Sequence, residues 1–274
     1  MIPTILSIAG TDPSGGAGIQ ADLKAFSALG GYGTTVVTAL VAQTTTGVSE
    51  VHDVPAAFVR SQLDTLLTDV RVDAVKIGML SNTEVIEVVA AAIDAYQLPN
   101  VVLDPVMVAK SGDRLLAAEA VEALRTELLP RADLITPNLP EAADLLGEAE
   151  ATDPADMRGQ AERLLALGPR RVLLKGGHLS GPTSTDLLLS ADGEAETLTA
   201  ERVDTTNTHG TGCTLSSAIA ALRPQRPTWS QAVREAKDYL TEALRHADEL
   251  EIGKGKGPVH HFHAWWGKQA PRSR

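Results

Sequence analysis

The 274-residue sequence is poor in cysteine, in aromatic residues and in positive charge. Its single cysteine excludes an internal disulfide, and with it the small secreted proteins that depend on disulfides. The 24 Lys and Arg against 35 Asp and Glu give a net charge of −11, which argues against a broad nucleic-acid surface, because such a surface needs clustered cations. Aromatic residues make up only 3%, so Ala, Val, Leu and Ile must fill the core.

Long apolar segments are also missing from the sequence. No uncharged apolar run approaches the roughly 20 residues that a membrane helix needs. The first residues, MIPTILSIAGTDPSGG, lack the basic and apolar regions of a signal peptide. We therefore expect a cytoplasmic protein that has neither membrane nor nucleic-acid partners.

Short β-branched runs alternate with longer helical patterns along most of the chain. Because strand–helix–strand units form right-handed crossovers, this alternation predicts a three-layer, doubly wound α/β fold with a mostly parallel sheet. The predicted strands are residues 4–9, 34–42, 74–79, 101–104, 134–136 and 171–175. The predicted helices include residues 17–29, 55–67, 83–96 and 117–129.

The second half of the chain departs from this alternation. Residues 183–203 form two apolar runs around Asp192-Gly193, which predicts a hairpin. Helical patterns follow up to Leu250. No linker or repeat divides the chain, so we expect one domain over residues 1–274, with a tail after Gly253 that packs in part and is flexible after Trp266.

Residues that could bind ligands or take part in catalysis follow the predicted strands, at the edge where parallel sheets bind ligands. Residues 16–21, GAGIQA, match the G-x-G-x-x-A dinucleotide fingerprint, but the second strand ends at Gln43 without the acidic residue that this fingerprint requires. A P-loop needs a Lys followed by Ser or Thr after its glycines, and this pair is absent here. Asp12, Asp22 and Gln43 instead favour a polar pocket for a small molecule, and Met79 is suited to cover a flat ring.

Two carboxylates follow neighbouring strands. Asp104 ends a buried strand, where an acidic side chain is costly unless it is paired or metal-bound. Glu141 lies near a helix start, so it either caps that helix or joins Asp104 in binding Mg²⁺, and the spacing leaves both open. Lys175, at the end of the last parallel strand, can neutralise a phosphate as a point charge.

The glycine-rich turn Gly210-Thr211-Gly212-Cys213 leads directly into a helix of small residues. Its N–H groups are expected to be unpaired donors that face an anion. The only cysteine of the chain lies in this field, which favours its thiolate form.

With these motifs, the chain resembles the bacterial hydroxymethylpyrimidine/phosphomethylpyrimidine kinases of thiamine biosynthesis, within the ribokinase-like superfamily. The resemblance extends from Ile5 to Trp266. The motifs that carry it are AGTDPSGGAGIQADLK (9–24), KIGML (76–80), LITPNLPEA (134–142), LLKGGH (173–178), NTHGTGCTLSSA (207–218) and GKGPVHHFHAWW (255–266). The three histidines of the last motif are interpreted as part of a packed tail rather than as a metal site.

This resemblance implies an activity. With ATP and Mg²⁺, 4-amino-5-hydroxymethyl-2-methylpyrimidine is phosphorylated on its hydroxymethyl oxygen, and the monophosphate is then phosphorylated to the diphosphate. The resemblance also implies a homodimer.

Residue roles follow from the same resemblance. The implied pyrimidine contacts are Ala17, Asp22, Gln43, Met79, Val106 and Cys213. The implied nucleotide contacts are Asn138, Lys175, Thr206, Gly210 and Gly212, and the implied metal ligands are Asp104 and Glu141. The implied catalytic set is Lys175, Gly210, Thr211, Gly212 and Cys213. Sugar kinases of the superfamily have an Asp base where this chain has Cys213, so whether Cys213 is a base or only positions the substrate stays open.

Three alternative functions remain. A pyridoxal kinase can share the Gly-Thr-Gly-Cys loop, and parallel assays with both rings separate the two activities. An NAD-linked oxidoreductase would use the loop around Gly16 and Gly18. A non-catalytic ligand sensor would have no need for Asp104, Glu141, Lys175 and Cys213 together.

Overall fold

The predicted alternation of strands and helices is present in the computed structural model, which describes residues 1–107, 116, 119–177, 179 and 181–266. The strands are β1 (Thr4–Ala9), β2 (Tyr32–Val37), β3 (Ala39–Thr44), β4 (Gly47–Asp53), β5 (Ala74–Ile77), β6 (Val101–Leu103), β7 (Leu134–Ile135), β8 (Arg171–Lys175), β9 (Thr183–Ser190) and β10 (Ala195–Glu201). The α-helices are α1 (Gly18–Ala28), α2 (Ala56–Leu67), α3 (Thr83–Tyr96), α4 (Ala120–Ala123), α5 (Leu139–Leu146), α6 (Pro154–Leu165), α7 (Thr211–Leu222) and α8 (Trp229–Arg245).

One sheet organises the molecule, with the strand order β10-β9-β8-β7-β6-β5-β1-β2. Neighbours from β2 to β8 are parallel, and the pairs β8–β9 and β9–β10 are antiparallel. Apolar side chains of α2, α3, α5 and α6 pack on one face of the sheet, and those of α1, α7 and α8 pack on the other. This arrangement confirms the predicted three-layer, mostly parallel α/β fold.

The prediction of one strand over residues 34–42 was wrong. The chain leaves the main sheet after β2 at Thr38, whose buried hydroxyl donates to the Met79 carbonyl oxygen at 2.7 Å. β3 then pairs with β4 in a separate two-stranded sheet, and β4 was not predicted. The apolar and β-branched pattern continues across the break, so the local sequence does not show it.

Other predicted boundaries agree more closely with the structure. The hairpin predicted at 183–203 is present as β9 and β10. The predicted helix 117–129 contains α4, followed by a wider π-helical turn at Leu124–Leu128 and a 3-10 turn at Leu129–Arg131, and residues 117 and 118 lie outside the described residues.

His178 and the tail after Trp266 also lie outside the described residues. Of the tail before that point, residues 257–261 are buried, whereas Trp265 and Trp266 are exposed. No helix in the described part of the chain is both long enough and apolar enough to span a membrane. The single-domain organisation stays a prediction.

A buried ion pair joins four elements beneath the strand ends. The Asp22 carboxylate on α1 accepts from the Lys76 ammonium on β5 at 2.8 and 2.9 Å, and both side chains are 0% exposed. It also accepts from the Ser7 hydroxyl on β1 and the Ser217 hydroxyl on α7, each at 2.6 Å. Because buried charges are tolerated only when they are paired, this contact constrains how α1 and α7 lie on the sheet.

We expect Lys76→Met to lower the free energy of unfolding by about 3–5 kcal/mol, because it leaves the Asp22 carboxylate buried without its counter-charge. Urea unfolding of both proteins measures the difference. The double variant Lys76→Met/Asp22→Asn should recover much of the loss, since it removes both charges and keeps a hydrogen-bonding group near the serines. A single variant as stable as the wild type would show that the pair does not constrain the fold.

Candidate active site

A cleft of about 750 Å³ opens where the parallel strands end, a size typical of small-molecule sites. It lies next to the point where the strand order reverses around β1, which is where such sheets bind ligands. Most of the site residues predicted from the sequence line it: Ala17, Gln43, Met79, Asp104, Val106, Asn138, Glu141, Lys175, Gly210, Thr211, Gly212 and Cys213.

Two predicted site residues do not line this cleft. Asp22 lies behind its wall, where Lys76 separates it from the opening. Thr206 is exposed in the loop that precedes α7. The substrate contact predicted for Asp22 and the nucleotide contact predicted for Thr206 stay predictions.

The first glycine-rich loop folds around the Asp12 carboxylate. Oδ1 accepts from the Ser14 N–H and hydroxyl at 2.9 and 2.7 Å, and Oδ2 accepts from the N–H groups of Gly16 and Ala17 at 3.1 and 2.7 Å. Burial alone would raise the pKa of Asp12, but the hydrogen bonds from His209 and the loop lower it to about 2. The amides that a dinucleotide fingerprint would offer to a pyrophosphate are thus already used by Asp12, which argues against the NAD hypothesis.

The second glycine-rich loop packs directly against the first. Gly210 has a φ of +78°, and a Cβ there would lie 1.7 Å from the Gly16 carbonyl oxygen, so only glycine fits. The imidazole Nε2 of His209 lies 2.7 Å from Asp12 Oδ2, and the Gln43 side-chain amide lies 3.2 Å from the same Nε2. Sequence analysis gave His209 no role, although its place immediately before the loop glycines was a usable signal.

The N-terminus of α7 faces the cleft without a side-chain cap. Within the described residues, the N–H groups of Gly212 and Cys213 have no acceptor in the protein, as expected for the first turn of a helix. A Cβ on Gly212 would lie 3.5 Å from both Asp104 Oδ2 and Lys175 Nζ. Free amides, an ammonium group and a carboxylate therefore meet at one point.

Asp104 and Lys175 form the charged centre of the cleft. The ammonium of Lys175 lies 3.1 Å from Asp104 Oδ1 and 3.8 Å from Glu141 Oε2. Asp104 also accepts from the hydroxyls of Thr136 at 2.9 Å and Ser216 at 3.3 Å. Burial opposes ionisation of Asp104, but the positive charges of Lys175 and Lys76, together with hydrogen bonds from Lys175 and Thr136, outweigh it and lower the carboxyl pKa. Burial likewise opposes the charge on Lys175, whose pKa is nevertheless raised by the two carboxylates.

Glu141 does cap its helix. Its Oε2 accepts from the Asn138 N–H at 2.8 Å, and Asn138 Oδ1 accepts from the Glu141 N–H at 2.8 Å, which is a complete capping box. Burial raises the pKa of Glu141 to about 7, and the charge of Asp104 adds to this effect against the opposing charge of Lys175. Two buried carboxylates thus share one lysine, and this excess of negative charge fits a divalent cation.

The donor set also fits magnesium rather than a metal held by protein alone. Within residues 1–107, 116, 119–177, 179 and 181–266, no group of three or more His, Cys, Asp or Glu side chains is placed to hold a metal ion. Asp104 and Glu141 provide one pair. Mg²⁺ commonly takes one or two carboxylates and completes its shell with phosphate oxygens and water.

The prediction that its surroundings favour the Cys213 thiolate was wrong. Burial raises the pKa of the thiol to about 11, even though the charge of Lys76 and a hydrogen bond from the Gly18 N–H lower it. Loss of hydration therefore outweighs the field of the helix N-terminus. At neutral pH the sulfur carries its proton.

Sequence analysis missed a second ion pair, which lines the cleft away from Gln43. Lys237 Nζ on α8 lies 2.6 Å from Asp186 Oδ2, and Asp186 Oδ1 accepts from the Gly176 N–H at 3.0 Å. The neighbouring side chains of Leu240 and Leu244 are apolar. A mixed polar and apolar wall of this kind suits a nucleoside.

Comparisons with known proteins agree with this geometry. A family model described as phosphomethylpyrimidine kinase matches residues 12–260. The hydroxymethylpyrimidine/phosphomethylpyrimidine kinase of Salmonella typhimurium is 58% identical over 261 residues, which cover 95% of this chain and 98% of that protein.

Solved structures share the fold. Bacillus subtilis pyridoxal kinase, solved as an ADP complex, has a TM-score of 0.89 and 38% identity over 96% of this chain and 99% of that one. Phosphomethylpyrimidine kinase from Clostridium difficile has a TM-score of 0.77 and 41% identity over 89% of this chain and 100% of that one. From the match over residues 12–260 and the 58% identity, the chain belongs to the phosphomethylpyrimidine kinase family.

Proposed function

We propose that this protein transfers the γ-phosphoryl group of ATP to the hydroxymethyl oxygen of 4-amino-5-hydroxymethyl-2-methylpyrimidine, and then phosphorylates the monophosphate to the diphosphate. One observation carries the proposal: the free amides of Gly212 and Cys213 meet Lys175 and Asp104 at one point of the cleft. Phosphoryl transfer needs this combination, because its catalysis consists mainly of positioning and charge stabilisation.

The acceptor ring belongs at the end of the cleft that Gln43 and Met79 line. The Gln43 amide can donate to a ring nitrogen and accept from the neighbouring amino group. The thioether of Met79 packs against Gly10, where a Cβ would be 3.3 Å from the sulfur, and Met79 lines the cleft, where it can contact the face of a flat ring. Ala17 and Val106 complete this end of the cleft.

The phosphoryl group belongs between the two ends. The amides at the start of α7 and the Lys175 ammonium face the oxygens on which negative charge develops. Asp104 and Glu141 would hold Mg²⁺, which when bound neutralises phosphate charge. Because the Cys213 thiol is protonated at neutral pH, it fits a role in positioning the hydroxymethyl group better than that of a thiolate base.

The nucleotide belongs toward Asn138, Thr206 and the pair of Asp186 and Lys237. Its phosphates would then extend to Lys175 and to the Gly210–Gly212 turn. The structural similarity to Bacillus subtilis pyridoxal kinase supports pyridoxal phosphorylation as a second candidate activity, although the identity is higher for the pyrimidine kinases. A homodimer and a cytoplasmic location complete the proposal.

Product analysis tests this function directly. Incubation with the hydroxymethylpyrimidine, ATP and Mg²⁺ should give masses for both the monophosphate and the diphosphate, because the same site serves both steps. Parallel incubation with pyridoxal measures the second candidate activity. Absence of any phosphorylated pyrimidine from a folded preparation would contradict the proposal.

Replacing Cys213 with Ala should lower kcat on the order of a hundredfold while the melting temperature stays within a few degrees, because a small residue replaces another at the start of α7. Steady-state kinetics and thermal unfolding measure the two effects. Cys213→Ser, which keeps a hydroxyl donor, is the matched control and should retain more activity than the alanine variant. Full rate and full substrate affinity in Cys213→Ala would remove the proposed role.

Replacing Asp104 with Asn should raise the Mg²⁺ concentration for half-maximal rate by about tenfold, because a neutral amide oxygen attracts the cation less than a carboxylate does. A magnesium titration at saturating ATP measures the shift. Asp69→Asn makes the same chemical change on an exposed carboxylate after α2, outside the cleft lining, and should leave the titration unaltered. An unchanged titration in Asp104→Asn would refute the assignment of Asp104.

A further inference from the structure

We infer that Asp12 and His209 are positioning residues that fix which end of the Gln43 amide faces the substrate as a donor and which end as an acceptor. They thereby select substrates whose ring carries the complementary hydrogen-bonding groups. The observation is a chain of contacts: Asp12 Oδ2 to His209 Nε2 at 2.7 Å, and that Nε2 to the Gln43 amide at 3.2 Å. The inference rests on the proposed function, because it assumes that Gln43 faces the pyrimidine.

The donors around Asp12 show that the Nε2 atom of His209 carries a hydrogen. This carboxylate accepts from the hydroxyl and N–H of Ser14 and from the N–H groups of Gly16 and Ala17. A buried carboxylate with this donor set is ionised and can only accept. The Nε2 of His209, 2.7 Å from Oδ2, must therefore carry a hydrogen and act as a donor.

The imidazole has little freedom to turn away from this arrangement. His209 is 6% exposed, and a Cβ on Gly16 would lie 2.3 Å from its Cδ2, so the ring lies directly against the glycine. The backbone N–H of His209 donates to the Gly257 carbonyl oxygen at 3.0 Å. The first loop thus contacts the ring, and the C-terminal segment fixes the main chain that carries it.

A fixed donor decides the orientation of the amide. The amide nitrogen of Gln43 lies 3.2 Å from His209 Nε2, and two donors cannot form a hydrogen bond. A 180° rotation of the amide brings Oε1 to the same place, where it shares the single Nε2 hydrogen with Asp12 Oδ2 in a three-centre bond, whereas the amide nitrogen would meet that N–H with hydrogens of its own. With one lone pair of Oε1 directed at His209, the remaining lone pair and the NH₂ group of Gln43 face the cleft.

This orientation complements only one type of ring edge. The NH₂ group donates to an unprotonated ring nitrogen, and Oε1 accepts from an amino group on the adjacent carbon. A 4-aminopyrimidine offers that pair. The 4-oxo analogue offers the reverse, an N3–H donor beside a carbonyl acceptor, and leaves both ends of the fixed amide mismatched.

The test compares the 4-amino and 4-oxo rings in proteins with and without the His209 donor. In the wild type we expect kcat/KM for the 4-amino ring to exceed that for the 4-oxo ring on the order of a hundredfold. His209→Met fills similar space without a donor, so the Gln43 amide can rotate and the preference should fall to within about tenfold. His209→Gln, the matched control, restores an N–H near the Nε2 position and should restore the preference.

A merely structural role for His209 predicts a different result. It would lower the rates for both rings together and leave their ratio at the wild-type value, which would overturn the inference. If His209→Met does not fold, ¹⁵N NMR of the imidazole in the wild type still decides: a protonated Nε2 supports the inference, and an unprotonated Nε2 overturns it.

Calorimetric titration of the two rings without ATP separates this inference from the proposed function. Preferential binding of the 4-amino ring that is lost in His209→Met supports the inference even if no phosphoryl transfer is detected. Normal phosphorylation of the 4-amino ring with an unchanged binding ratio in His209→Met overturns the inference and leaves the proposed function standing. Binding of neither ring overturns both.

Discussion

The site depends on neutralising the buried carboxylates beside the cleft before any phosphate enters it. Asp12 is surrounded by loop amides and His209, Asp22 by Lys76 and two serines, and Asp104 by Lys175 and two hydroxyls. An acidic chain can bind a polyanion only if these charges are met internally, because an unpaired carboxylate close to the phosphoryl position would repel it. Glu141 is the exception: it shares Lys175 with Asp104, and burial raises its pKa to about 7, an effect to which the charge of Asp104 adds. Two carboxylates beside one lysine carry an excess of negative charge. This excess is costly in the free protein and makes the position suitable for a cation.

Close approach of two backbone segments is the second constraint, and glycine provides it. The carbonyl oxygen of Gly16 occupies the space that a side chain on Gly210 would need, and Gly18, at a φ of +55°, meets Gly10 in the same way. These contacts bring the loop after β1 against the start of α7. The acceptor end and the phosphoryl end of the cleft consequently lie on one rigid surface, which lowers the entropic cost of aligning two substrates.

Sequence patterns predicted the layers of the fold, because strand and helix periodicities are local. Most of the site residues predicted from strand ends and from the family resemblance line the cleft, because strand ends meet at one edge of the sheet. They did not predict the break at Thr38, where the apolar pattern continues although the chain changes sheets. Nor could they predict the pairing of Asp12 with His209 or of Asp22 with Ser217, since these partners are 197 and 195 positions apart. The state of Cys213 was missed for a related reason. A helix N-terminus can be identified from neighbouring residues, whereas the loss of hydration that dominates its pKa depends on everything packed around it.

In the proposed function, recognition and catalysis use different forces at the two ends of this cleft. The phosphoryl end works through net charge and free amides, which act on any phosphate and cannot tell one acceptor from another. The acceptor end faces a neutral, flat ring, and apolar contact with Met79 discriminates little between rings of equal size. Selectivity there must come from the direction of hydrogen bonds. A 180° rotation of a side-chain amide exchanges its donor and its acceptor, so the amide does not discriminate between rings unless a neighbour fixes its orientation. A buried ionised carboxylate acting through an imidazole is such a neighbour, because its charge does not change near neutral pH. The glycine-rich loop that resembles a dinucleotide fingerprint encloses Asp12 instead, and in the proposed arrangement it acts through Asp12 and His209 to fix the orientation of the Gln43 amide.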